Sequence, residues 1–149
     1  MFDATMHFPL GTRGRYLFAF GCLLFSLLYV GRAGRWFLAD RLSNSLDLAS
    51  LERAVQLEPG NAEVHQRLGR YYFFGLGQTE AAAEHFQHAV DLNPHKARHW
   101  LNLALVHQIT GDSAAQGQVV QRALLAEPAN PAVAMEAANF FLVQGNTTE

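Results

Sequence analysis

Thiols are nearly missing from this sequence of 149 residues: its one cysteine, Cys22, lies inside an apolar run. A lone thiol can neither close an internal disulfide nor supply the paired thiolates of a structural zinc site. Basic residues are scarce as well. The chain has 11 lysines and arginines against 13 acidic residues, and beyond Asn61 five basic residues stand against eight acidic ones. That balance offers no cationic surface to release counterions from a polyanion, which excludes nucleic acid as a partner. The patterns of catalysis are lacking too. No nucleophile stands beside its base, no paired carboxylates mark a cleft, and the glycines at 75, 77, 111 and 145 recur with expected turns rather than in a phosphate loop. No enzyme, cofactor or metal is expected.

The histidines test that expectation. His85 and His88 stand three apart and His95 and His99 four apart, spacings that put two rings on one helix face. No carboxylate or cysteine has ligand spacing with them. His85 and His88 flank the apolar positions Phe86 and Ala89, and so are expected to face outward.

What is present, first, is YLFAFGCLLFSLLYVG, residues 16–31, a stretch of sixteen without a charge. As a helix it spans roughly 24 Å, a little under the ~30 Å of a hydrocarbon core. Arg13 and Arg15 on one side and Arg32 and Arg35 on the other can snorkel outward, while Tyr16, Tyr29 and Trp36 suit the headgroup zone. The expectation is an N-terminal tail over 1–15, a transmembrane helix over 16–33 that meets the membrane through residues 16–31, and a linker over 34–45. A cleaved export signal competes with it, since basic residues before an apolar stretch also describe one. Its best cleavage site, Gly31-Arg32-Ala33, carries an arginine at its centre. A lipoprotein reading at Cys22 fails because the apolar run continues past it, leaving Cys22 as a small lipid-facing or helix-packing residue. Charge hardly biases the orientation; the short tail favours a cytoplasmic N-terminus with the remainder exported.

Second, prolines are few, and three of the five mark a period. Pro59, Pro94 and Pro128 are spaced by 35 and 34 residues, the interval of stacked helical hairpins. Leu48, Leu51, Ala54, Val55 and Leu57 read as a helix that buries one face and stops before Pro59-Gly60. The pattern restarts at Ala62 through Val64, Leu68, Tyr71, Tyr72 and Phe74, and breaks at Gly75-Leu76-Gly77. Thr79 is the expected cap of the next helix, which buries Ala82, Phe86, Ala89, Val90 and Leu92. A third hairpin runs from Trp100, Leu103, Ala104 and His107 through the cap Asp112 to Val119, Val120, Ala123 and Leu124. Asn130 then reads as a cap ahead of Pro131 at a first helical position.

These residues resemble the tetratricopeptide repeat. Leu68, Gly69, Tyr72, Ala82, Phe86, Ala89 and Pro94 match its pattern in one unit, and Trp100, Leu103, Ala104, Gly111, Ala123 and Pro128 in the next. The departures are Gln66 where an aromatic is usual, one surplus residue around 75–78, and Gln116 and Val120 where Ala and Phe are usual. His107 stands where the family has Tyr and is expected to be packed and hydrogen-bonded. The resemblance implies an all-α fold, a solenoid of helical hairpins over 46–145 preceded by one N-terminal transmembrane helix. Its parts are a half unit 46–61, full units 62–96 and 97–130, and a half unit 131–145, with a frayed tail 146–149. Asn146-Thr147-Thr148 in that tail matches a glycosylation acceptor, as chance often does. Tail, span and repeats together are similar to bacterial membrane-anchored tetratricopeptide proteins, some encoded beside polysaccharide-export machinery. That implies an inner-membrane adaptor or scaffold working through protein–protein contacts.

The family's geometry further implies a concave groove that takes a protein or peptide partner. Its residues fall at Glu63, Gln66, Arg70 and Phe73, then at Arg98, Leu101, Leu105 and Gln108, and finally at Ala132, Met135, Asn139 and Leu142. Some of these, Leu101, Leu105 and Leu142 above all, are equally readable as core cover. A clamp for a C-terminal carboxylate is disfavoured: Arg70 and Asn102 suit it, but Ala132 and Glu136 stand where more positive charge is needed. The last helix, 131–145, is apolar on almost every side, unlike the polar outer face of a terminal repeat. Truncation of a longer repeat protein, self-association through this helix, and docking on another protein compete to explain it.

Overall fold

The computed structural model describes residues 12–44 and 47–146, and every element among them is helical. The chain divides into two units, Met1–Phe37 and Leu38–Glu149. Helix α1 runs Thr12–Ser43, and its residues up to 37 make up the described part of the first unit. All side chains from Tyr16 to Phe37 are exposed, apolar ones on every side of the helix. A helix apolar all round suits hydrocarbon rather than water. The hydroxyl of Ser26 donates to the carbonyl of Cys22 at 2.8 Å, so this polar group inside the run is satisfied by its own helix. By length and composition Tyr16–Ser43, with mean hydropathy 1.7, can cross a membrane; a signal sequence passes the same test. The segment expected as a linker is helical through Ser43, since no proline interrupts it.

The second unit holds α2 (Leu48–Leu57), α3 (Ala62–Arg70), α4 (Thr79–Leu92), α5 (Ala97–Thr110), α6 (Ser113–Ala126) and α7 (Pro131–Asn146). Each packs on its successor, and α3 also touches α5 and α5 touches α7. This is the arrangement of stacked hairpins, with the first helix of each side by side along one face. Side-chain oxygens start most of these helices. Asp47 accepts from the backbone N–H of Ser50 at 3.1 Å, Asn61 from Glu63 at 3.1 Å, Asp112 from Ala115 at 2.9 Å and Asn130 from Ala132 at 3.1 Å. Thr79, expected as a cap, is instead the first helical residue, and Gln78 before it makes no side-chain cap bond. Helix α5 is capped from a distance: the Glu127 carboxylate accepts from the Ala97 N–H at 3.1 Å, and Asn130 donates to its other oxygen at 2.6 Å.

The core runs through Phe86, Val90, Leu103, Val106 and Val120, with Phe86 wholly buried. Burying such a ring contributes roughly 1.5–3 kcal/mol. The close approach of α3 and α4 depends on Gly69, where an added Cβ would lie 2.7 Å from the Phe86 ring. Gly77 and Gly111 turn the two hairpins with φ of 64° and 75°, a left-handed conformation that side chains resist. Leu92, expected in the core, is exposed at the end of α4.

Between α3 and the turn, Tyr71–Leu76 is a π-helix. Its wider winding houses one more residue than an α-turn. The surplus residue of the 62–96 unit is absorbed here, so the side chains of Tyr71–Leu76 are rotated from where a regular helix would place them. Phe74 is consequently 63% exposed rather than buried, and Tyr71 and Tyr72 are only half-buried.

The place of the repeat's aromatic belongs to His65, not to Gln66. Trp100 donates its indole N–H to the Pro94 carbonyl at 2.8 Å, and 35 residues earlier the His65 Nε2 meets the Pro59 carbonyl at 3.1 Å. Each ring ties the helix it stands on to the proline turn before it.

Candidate functional site

Two clefts open along the α3–α5–α7 side of the second unit. The larger-walled one, about 550 Å³, lies over α5, α6 and α7 and is lined by Arg98, Leu101, Asn102, Leu105 and Gln108 from α5 with Glu136, Asn139, Phe140 and Val143 from α7. The other, about 560 Å³, is lined by Glu63, Gln66, Arg67, Arg70, Tyr71 and Phe74, and again by Arg98. Volumes of this size suit side chains of a bound segment.

Most of the predicted groove positions fall here. Glu63, Gln66 and Arg70 line the second cleft, Leu101, Leu105, Gln108 and Asn139 the first, and Arg98 both. Two shifts account for the rest. Phe73 packs half-buried against the core beside Phe86, and the π-turn brings Phe74 into the cleft in its stead. On α7 the register is displaced by one residue: Val133 and Ala137 take the core, so Glu136, Asn139 and Val143 face the cleft. Ala132, Met135 and Leu142 do not line it, and Met135 is 62% exposed. Gln66 lines its cleft while being only 1% exposed, so it forms the floor rather than the rim.

The charges divide into committed and open. Glu63 pairs with Lys96 at 3.0 Å and with Arg67 at 3.5 Å. Burial pushes its carboxyl up, but the hydrogen bond and charge of Lys96, with Arg67, outweigh this and hold it below the ordinary range. Arg67 also donates to Ser43 Oγ at 2.9 Å and to Asn44 Oδ1 at 2.6 Å. By contrast Arg70 lies only against the Phe74 ring, 5.7 Å from its centroid, and Arg98 forms no salt bridge or hydrogen bond among the described residues. Two buried side-chain atoms of the cleft floors, Gln66 Oε1 and Asn102 Nδ2, have no hydrogen-bond partner. An unpaired buried polar atom costs about 1–3 kcal/mol.

The histidines are arranged otherwise than expected. His85 is half-buried: its Nδ1 lies 3.2 Å from His65 Nδ1 and its ring stacks on Tyr72 at 5.5 Å. His88 is exposed as expected, though its ring lies 5.2 Å from that of His65. Because His65 Nε2 faces a carbonyl it carries the proton, so His65 Nδ1 accepts from His85 Nδ1–H. Burial first, and then neighbouring histidines, lower the pKa of both rings. Tyr72 donates to Glu52 at 3.0 Å, joining this cluster to α2. His99 is 1% exposed with Nδ1 unpaired, and burial, then Lys96, holds it below the usual imidazole range. His107 is half-buried, and no hydrogen bond of its ring is seen among the described residues. Among those residues no three of His, Cys, Asp and Glu converge as a metal set. The glycosylation-like triplet ends at Thr148, outside the described residues.

Residues 62–96 match the sequence profile of the tetratricopeptide repeat. No curated protein matches the sequence as a whole. Among solved structures, the Sgt2 tetratricopeptide domain from Aspergillus fumigatus superimposes with a TM-score of 0.65 at 17% identity, over 74% of this chain and 81% of that one. The first tetratricopeptide domain of Spaghetti (RPAP3), bound to the HSP90 peptide SRMEEVD, gives 0.58 at 15% identity, over 80% and 92%. PcrH in complex with the chaperone binding region of PopD gives 0.57 at 18%, over 84% and 91%. At such identities the likeness is one of fold, and it coincides with the matched repeat and with the hairpin order found here. Residues 62–96 thus match a tetratricopeptide repeat, and the second unit has the fold of tetratricopeptide domains.

Proposed function

We propose that this chain is a single-pass, membrane-anchored adaptor that holds a segment of a protein partner along its α3–α5–α7 face and has no chemistry of its own. The observation that carries the reading is the α5–α7 cleft: Leu101 and Leu105 give it an apolar wall, and the exposed Gln108 and Asn139 supply its polar groups. Apolar contact with a few polar groups for backbone amides is how repeat grooves hold peptides. The peptide and binding-region complexes of the Spaghetti domain and PcrH support the same use of this fold. In this reading residues 16–33 span the membrane, a bacterial inner membrane with the repeats exported, and the adaptor serves assembly of an envelope complex such as polysaccharide export. The exposed apolar residues of α7 outside the cleft, Met135 and Leu142, are a second contact surface, for self-association.

Co-purification from membranes with the full-length chain, compared with Leu105→Glu, tests the groove. Partners bound by the first and lost from the second are expected; partners indifferent to that change defeat it. A signal sequence also fits the N-terminal helix. Carbonate washing separates the two, because release of a shortened chain means a soluble adaptor after cleavage.

A further inference from the structure

We propose that the occupant of the groove is an extended protein segment in which an aspartate or glutamate stands two or three residues from a bulky apolar side chain. Its carboxylate sits between Arg70 and Arg98, and its apolar group enters the cleft walled by Leu101, Leu105 and Phe140. This rests on the groove reading above and adds to it the chemistry of what is bound.

Four features converge on it. The first is charge that the fold leaves unused. Glu63 already answers Lys96 and Arg67, so Arg70 and Arg98 remain as guanidiniums without an acid in a cleft they share. A guanidinium presents a planar fork of N–H donors that fits a carboxylate. The second is the position of Arg70: the π-turn places the Phe74 ring beneath its guanidinium, 5.7 Å from ring centroid to central carbon, and no acid among the described residues engages its N–H donors. The third is spacing. Arg98 lines both clefts and Leu105 stands seven positions further along α5, roughly 10 Å at 1.5 Å per residue, which about three residues of extended chain cover. The fourth is polarity. Glu136 stands on the α7 wall, so an acidic side chain is repelled at that end and drawn to the α3 end.

The test uses the full-length chain in mild detergent, immobilised and panned with a random peptide library whose C-termini are fused to the display protein, so that side chains are the sole carboxylates. The enriched peptides are expected to share an Asp or Glu two or three residues from Phe, Leu, Ile or Tyr. Arg98→Glu should weaken them at least tenfold, with Arg98→Lys intermediate because it keeps the charge but loses the fork. Arg98 is exposed, and circular dichroism verifies that these variants fold. Peptides that lose binding on Leu105→Glu yet carry no acidic consensus, or ignore Arg98→Glu, overturn this inference and leave the groove reading standing. If no peptide responds to Leu105→Glu, the groove reading and this inference fall together.

Discussion

A methyl group at position 69 would lie 2.7 and 2.8 Å from two carbons of the Phe86 ring, whereas one at position 117 would meet Phe140 at 3.4 and 3.5 Å. The ring at Phe86 is wholly buried and has nowhere to go; Phe140 is only partly buried. Both glycines cost their helix about 1 kcal/mol relative to alanine. Gly69→Ala is therefore expected to destabilise the repeat unit by about 1–3 kcal/mol, overpacking outweighing propensity, while Gly117→Ala stabilises it by up to about 1 kcal/mol. Urea unfolding of the two variants checks the opposite signs. The paired rings of His65 and His85 lead to a second expectation. Both, with His99, have pKa values lowered from an ordinary 6.5, mainly by burial. The folded state then binds fewer protons than the unfolded one. Its stability is whole above that ordinary value and declines as pH falls below it, by up to about 1.4 kcal/mol per pH unit for each proton taken up on unfolding. The urea midpoint should drop between pH 7.5 and 5.5, and His65→Gln should flatten that slope. The caps Asp112 and Asn130 were legible because each precedes a helical pattern with a side chain of the right length. His65 was not, because a single imidazole does not look like the indole whose bond it reproduces.

Among the elements, α5 begins without a cap of its own. Lys96 precedes it and makes no side-chain cap bond, and the Ala97 N–H turns to Glu127 at the end of α6. That carboxylate ties the start of one hairpin to the start of the next through Asn130. Glu127→Ala is expected to raise amide exchange through the first turns of α5 and α7 together and to lower the urea midpoint, with Glu127→Gln intermediate because an amide oxygen still accepts. Exchange that rises in α7 alone would mean the bond to Ala97 contributes nothing. Helix order, hairpin turns and the small residue at Gly69 were readable from periodicity and the proline interval. The π-turn was half readable: a unit of 35 residues beside one of 34 reveals an extra residue, but not whether a loop or a helix accommodates it. The answer depends on Gly77, whose left-handed φ of 64° lets the wide turn close onto the Tyr72 carbonyl. The displaced register of α7 was hidden for a related reason. A helix apolar on nearly all sides has no periodicity to say which side is inward.

For the whole molecule, the helix apolar on every side from residue 16 to 37 is long and apolar enough to cross a membrane, as a signal sequence also is. Arginine at the middle of such a span costs about 2.5–3.5 kcal/mol on insertion scales. Leu24→Arg with Leu28→Arg is expected to shift the chain from the carbonate-resistant membrane fraction to the soluble or aggregated fraction; unchanged retention would remove the membrane reading. One further consequence lies in Arg98, a side chain common to both clefts. Two short fragments, one per cleft, have to compete for the same guanidinium, so saturation with either lowers affinity for the other by an equal factor. A single longer strand escapes that antagonism, so in the proposed groove the two cavities act as one recognition unit whose selectivity is for length as much as for composition.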